Sequence, residues 1–159
     1  MSKISVISLE KRLEKFEKPV FSAMAKLLKT INNDDFYLEI YLAGDKSMKF
    51  LNKKFRNKNK AANVLSFDEP NGFPHPELAG RGGTIKTKSL GEIYLNMANN
   101  LRPMTDDIQL TTNNNRGLSV ISYQLLVHGL LHLLGYNHKK KNDRIKMEKK
   151  EKLLINKCT

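Results

Sequence analysis

A chain of 159 residues and 18.2 kDa, with 40% hydrophobic and 28% charged residues, has room for one domain around one core, which excludes both a two-domain enzyme and a low-complexity chain. Its most apolar run, Leu125 to Leu134, is broken by His128 and His132 and falls short of the roughly 20 residues that cross a bilayer, so no membrane partner is expected. The formal charge of +12 at pH 7 calls for an anionic partner, while the single cysteine, Cys158, rules out an intrachain disulfide and a Cys-based zinc site, and no disulfide-linked partner is expected.

Lysine outnumbers arginine 22 to 6 and asparagine occurs 16 times, a bias that A/T-rich coding DNA produces unaided, so the placement of charge says more than its total. Seven basic residues and no acid lie between Lys46 and Lys60, and residues 139 to 159 hold nine basic and three acidic side chains. Either cluster taken alone reads first as a solvated face. Met1-Ser2-Lys3-Ile4 runs at once into Glu10, Lys11, Arg12 and Glu14 with no apolar leader core, so a cytoplasmic location is expected.

In chain order, residues 9 to 31 set Leu13, Phe16, Val20, Met24, Leu27, Leu28 and Ile31 at helical spacing, with Pro19 marking a restart at a first-turn position. Residues 35 to 43 alternate Phe36, Leu38, Ile40 and Leu42 as a strand does, ending at Gly44. Asp45 then reads as the N-cap of a helix with Met48, Leu51 and Phe55 on one side and Lys49, Lys53 and Arg56 on another. Val64 to Phe67 and Glu92 to Leu95 are short strands, and the stretch between them, with Pro70, Gly72, Pro74, His75, Pro76, Gly80, Gly82 and Gly83, is loop. Met97 to Ile108 is a weak helix containing Pro103, Asn113-Asn114-Asn115 a polar turn, Leu118 to Leu134 a nearly all-apolar central helix, and the tail from Asn142 a basic helix. The expectation is an α+β fold spanning residues 1–159 as a single domain, with a small mixed β-sheet packed against helices and a metal site on the central apolar helix and the turn after it.

That metal site rests on His128-Gly-Leu-Leu-His132-Leu-Leu-Gly-Tyr-Asn-His138. Histidines four apart share a helix face, so His128 and His132 can aim at one point. Gly135 suits the left-handed residue that ends a helix and turns the chain back, which carries His138 toward the same point. Three neutral imidazoles around one zinc leave a fourth position for water, the arrangement of a catalytic site, and such an ion lowers the pKa of its water to about 7. The same set accepts nickel, copper or iron. The spacing also matches the His-Glu-x-x-His-x-x-Gly-x-x-His pattern of zinc proteases, but the position of their general base is Gly129 here, which argues against peptide hydrolysis.

The histidine segment resembles the signature of the YbeY family, bacterial zinc-dependent endoribonucleases and ribosomal RNA maturation factors. Leu51-Asn52-Lys53-Lys54-Phe55-Arg56, Asn63-Val64-Leu65-Ser66-Phe67 and Leu90-Gly91-Glu92-Ile93 resemble the family's other blocks in the same order, so the likeness covers about residues 48 to 138. It implies an α+β fold, one zinc ion per chain on His128, His132 and His138, and single-stranded RNA and rRNA as substrates. It further implies work on the small ribosomal subunit, in processing the 3′ end of its rRNA and in ribosome quality control. Arg56 matches the family's arginine and is the candidate catalytic residue, its guanidinium suited to a phosphoryl group gaining charge. Lys53, Lys54 and Lys58 are candidates for RNA-backbone contacts. The chain departs from the family pattern at Asn137 and Glu92, each in place of Asp, and at Ala62 in place of Thr; an amide at 137 keeps hydrogen bonding but loses basicity. A non-catalytic zinc-containing RNA-binding ribosome-assembly factor fits the same charge and cage, and a metal-dependent hydrolase of peptides or small molecules has the cage alone in its favour.

Overall fold

The computed structural model describes residues 3–31, 36–68, 88–101 and 118–158. In order these form β1 (Lys3–Ser8), a 3-10 turn (Lys11–Phe16), α1 (Glu17–Thr30), β2 (Phe36–Ala43), α2 (Asp45–Arg56), β3 (Val64–Phe67), β4 (Lys88–Asn96), α3 (Ala98–Leu101), α4 (Val120–Leu133) and α5 (Lys141–Cys158). The strands make one mixed sheet in the order β1-β2-β4-β3, with β1 and β4 parallel to β2 and β3 antiparallel to β4. This is the α+β architecture expected from the sequence. His75, the weak helix beyond Leu101 and the Asn113–Asn115 turn lie outside the described residues.

Period-2 alternation explains one face of the sheet. Leu38, Ile40 and Leu42 of β2, Ile93 and Leu95 of β4, Ile4 and Val6 of β1 and Val64 of β3 all join the core formed with α1 and α4. Fully burying each such Leu or Ile contributes roughly 1.5–3 kcal/mol. Helix α1 supplies Val20, Ala23, Met24, Leu27 and Leu28, the i, i+3, i+4, i+7, i+8 stripe of an amphipathic helix. Pro19 sits in its first turn, where a missing N–H costs nothing.

Two elements differ from expectation. Strand β1 was not legible in the sequence: its alternation spans six residues, and its pairing with Tyr37 to Leu42 is made across a long gap in the chain. Asp45 is not the N-cap of α2; Gly44 is, and Asp45 begins the helix, its Oδ1 accepting from Asn96 Nδ2 at 2.8 Å. A Cβ at Gly44 would lie 2.6 Å from Glu10 Oε1, which accepts from the Gly44 amide, so a side chain there would have to displace the Glu10 carboxylate.

Asparagine, abundant enough to read as coding bias, holds several loops. Buried Asn52 donates to the Lys60 carbonyl at 2.8 Å, and buried Asn96 bridges Asp45, the Ala62 carbonyl and the Ala98 amide. Asn100 accepts from the hydroxyls of Ser119 and Ser122, joining α3 to the start of α4.

Candidate metal centre and adjoining cleft

Helix α4 starts at Ser119, whose hydroxyl accepts from the Ser122 amide at 3.1 Å as an N-cap does. It is apolar nearly all round and correspondingly buried, with Tyr123, Leu126, Val127, Leu130 and Leu131 in the core. Gly129 faces the sheet. A Cβ there would lie 3.1–3.2 Å from Val64, Ile93 and Ser66, and the Ser66 hydroxyl donates to the Gly129 carbonyl at 3.2 Å. The position occupied in zinc proteases by a general base is thus packed against β3 and β4.

The helix ends in a Schellman turn. Gly135 has φ +93°, its amide donates to His132 O, and the Tyr136 amide donates to Leu131 O, both at 3.0 Å. Leu131 is buried in the core and Tyr136 packs against that core, the apolar burial that accompanies this motif. One residue on, Asn137 Oδ1 accepts from the Lys139 amide at 3.1 Å, so this side-chain amide serves as a turn acceptor.

This turn delivers His138 to the other two histidines. One ligand atom from each of His128, His132 and His138 lies within 4.8 Å of the others, so the three form a cluster that could hold a metal ion. The Nε2 atoms of His128 and His132 are 3.0 Å apart, against about 3.3 Å for two donors on a tetrahedral ion with arms of 2.0–2.1 Å. Their Nδ1 atoms face outward, His132 to the Tyr136 carbonyl at 3.1 Å and His128 to the Glu151 carboxylate. A carbonyl or carboxylate only accepts, so each Nδ1 carries the hydrogen and each Nε2 lone pair is turned inward, as ligation requires. Burial first, then the neighbouring His128 and His138, hold His132 below its ordinary pKa; the Tyr136 carbonyl opposes this and Arg56 adds the least. The donor set fits a divalent ion that favours nitrogen ligands.

His128 also lines a cleft of about 690 Å³. Arg56, Lys58 and Lys60 border it from the end of α2 and the following loop, Lys152 from α5, and Ile121, Leu125 and Ile155 give it apolar walls. The loop turns in at Asn57, left-handed at φ 55°, with Asn52 tying down Lys60. Of the lysines singled out in the sequence, Lys58 lines the cleft. Lys53 and Lys54 are exposed on α2 and do not line it, and Lys54 Nζ lies 5.5 Å from the Phe55 ring centroid. A smaller cavity of about 280 Å³ shares His128, Glu148 and Glu151 with this cleft and is lined also by His138, Arg144 and Met147.

Sequence reading missed Glu151. Its signal was present: Met147, Leu154 and Cys158 are the buried residues of α5, and Glu151 stands between them at i+4 and i−3, an acid on the apolar stripe of a basic helix.

A family profile described as Endoribonuclease YbeY matches residues 3–159. A protein from Bartonella quintana (strain Toulouse) named Endoribonuclease YbeY is 31% identical over 147 residues, covering 87% of this chain and 82% of its own. Another of that name from Thermodesulfovibrio yellowstonii is 29% identical over 167 residues, covering 96% and 94%. A third from Pelagibacter ubique is 34% identical over 122 residues, covering 74% and 66%. Among solved structures, the solution structure of a Thermotoga maritima protein superposes with a TM-score of 0.54 at 19% identity, over 98% of this chain and 89% of that one, and shares the fold.

Proposed function

Because this chain belongs to the YbeY family of endoribonucleases, we propose that it is a zinc-dependent enzyme that cuts single-stranded RNA, acting in the cytoplasm on the small ribosomal subunit. Its tasks would be maturation of the rRNA 3′ end and ribosome quality control, carried by one domain over residues 1–159. The observation that supports this reading best is the three-histidine cluster, one member of which, His128, lines a cleft bordered by Arg56, Lys58, Lys60 and Lys152 and by Glu148 and Glu151.

Zinc, when bound, supplies Lewis acidity and lowers the pKa of a coordinated water to about 7. The protein's own part is positional and electrostatic. His128, His132 and His138 hold the ion; attack on an RNA phosphodiester builds negative charge on the phosphoryl oxygens, and Arg56 meets that charge with a planar pair of N–H donors. Lys58 binds an adjoining phosphate at the cleft border, and Lys53 and Lys54 contact the strand farther out along α2, giving affinity without base readout. Gly129 leaves the nucleophile's proton without a carboxylate at that position.

The test is single-turnover cleavage of a labelled single-stranded RNA by metal-quantified wild type, Arg56→Ala and His132→Ala. Loss of one electrostatic donor predicts cleavage slower by about 10²–10³ for Arg56→Ala with its zinc retained, and no cleavage for His132→Ala. Equal cutting by all three would refute the assignment. One observation favours the second reading, a non-catalytic zinc-containing RNA-binding assembly factor: Glu151 ties His128 to α5, so an ion there would also join segments of the fold. Under that reading His132→Ala unfolds globally; under the catalytic one it loses metal and stays folded.

A further inference from the structure

We propose that Glu151 is the positioning residue of the histidine cluster, its carboxylate holding His128 in the tautomer and orientation that present Nε2 to the ion. The inference rests on the metal reading above and extends it to α5, a helix with no ligand of its own. His132 is oriented from within its own turn, by the Tyr136 carbonyl four residues on. His128 has no such local acceptor; its Nδ1 meets a side chain 23 residues away, on a different helix.

Three observations place Glu151 there for the histidine's sake. It occupies the stripe of α5 whose other members, Met147, Leu154 and Cys158, are buried apolar or sulfur side chains, so the carboxylate is brought in by the same packing that docks the helix. The other acid of this neighbourhood, Glu148, is paired with Arg144 at 2.9 Å and half exposed, whereas Glu151 contacts His128 and is about one-quarter exposed. The docking itself is anchored at the far end of α5, where the Cys158 carbonyl accepts from Lys26 Nζ at 2.6 Å and the Cys158 sulfur contacts the Thr30 hydroxyl at 3.2 Å. A half-buried acid facing an imidazole N–H is the arrangement that fixes ring orientation and raises ligand basicity in histidine metal sites, and its loss typically weakens metal binding about 10- to 100-fold. Asn137, next to His138, is spent on the Lys139 amide, and Glu151 is the carboxylate that reaches a ligand of this cluster among the described residues.

The test compares wild type, Glu151→Ala, Glu151→Gln, Glu148→Gln and His128→Ala by zinc competition against a chromophoric chelator. In parallel, the His128 tautomer is read by ¹⁵N NMR in the metal-free proteins. Expected are an affinity about 10- to 100-fold lower for Glu151→Ala, a smaller loss for Glu151→Gln, whose amide oxygen still accepts, and none for Glu148→Gln. The metal-free wild type should show the hydrogen on Nδ1, and Glu151→Ala a shift of population toward Nε2–H. If Glu151→Ala is poorly folded, the near-isosteric Glu151→Gln carries the comparison. Wild-type affinity and tautomer in both Glu151 variants, with binding abolished in His128→Ala, would overturn this inference and leave the metal reading intact. Failure of the wild type to bind zinc would overturn both.

Discussion

Replacing Gly135 by alanine isolates the backbone's contribution to the metal site. A Cβ at this position meets nothing within 4 Å, so no packing is gained or lost and the whole effect lies in φ, which is +93°. A left-handed backbone costs an L residue roughly 1–2 kcal/mol, and the more restricted unfolded chain of the variant offsets about 0.4–1 kcal/mol of that. The net is a destabilisation of about 1 kcal/mol, equivalent to a midpoint lower by about 2–4 °C in a chain of this size. Because the same turn carries His138 and places the Tyr136 carbonyl under His132, a variant that relaxes the turn must rebuild it to bind zinc, and the affinity falls by up to about fivefold. Gly135→Asn, which tolerates this region better, should lose less on both counts. Urea unfolding of chelator-treated protein and zinc competition on the same samples read the two quantities separately. Gly135→Ala indistinguishable from wild type in both would show that the turn does not set the site.

At Gly91 the effect is steric as well: φ is +118° and a Cβ would sit 2.1 Å from the Phe67 carbonyl oxygen, so Gly91→Ala should cost about 3 kcal/mol or more and disturb the β3–β4 pair, an outcome denaturant titration would contradict by finding an unchanged midpoint. In the RNA complex, Lys58→Ala should weaken binding evenly across sequences and flatten the log–log salt dependence by about 0.7, the share of one phosphate contact on a single strand; an unchanged slope would remove Lys58 from the interface. Burial, then the charge of Glu92 and the hydrogen bond to it, pushes the Tyr94 hydroxyl up to about 12, and burial and Glu39 push the stacked Tyr41 up as well. A folded pKa raised above the unfolded 10 means that this stability is fully present below about pH 10 and is lost as pH rises through about 12. Tyr94→Phe should therefore show a shallower alkaline loss in unfolding experiments between pH 9 and pH 12, and an unaltered profile would count against the burial argument.

Much of the site was legible because its determinants are local. The i, i+4 spacing of His128 and His132, the apolar run around them and the glycine that ends the helix lie within a dozen residues, and helix geometry alone converts them into convergent ligands. The meaning of Gly129 was only half legible. In sequence it is a missing base; in the structure it is also the point where α4 comes closest to Val64, Ile93 and Ser66, so a side chain there faces the sheet.

What the sequence by itself determined is the set of elements whose hydrophobic period declares them, α1, β2, α2 and α4, together with the three-histidine cluster and the family to which its spacing points. Only the tertiary structure decided that Lys3–Ser8 pairs in parallel with β2, that Lys58 and not Lys53 or Lys54 borders the cleft, and that α5 brings Glu151 to His128. Each of these depends on contacts between segments far apart in the chain, made when apolar faces are buried together, and no local periodicity encodes which faces meet.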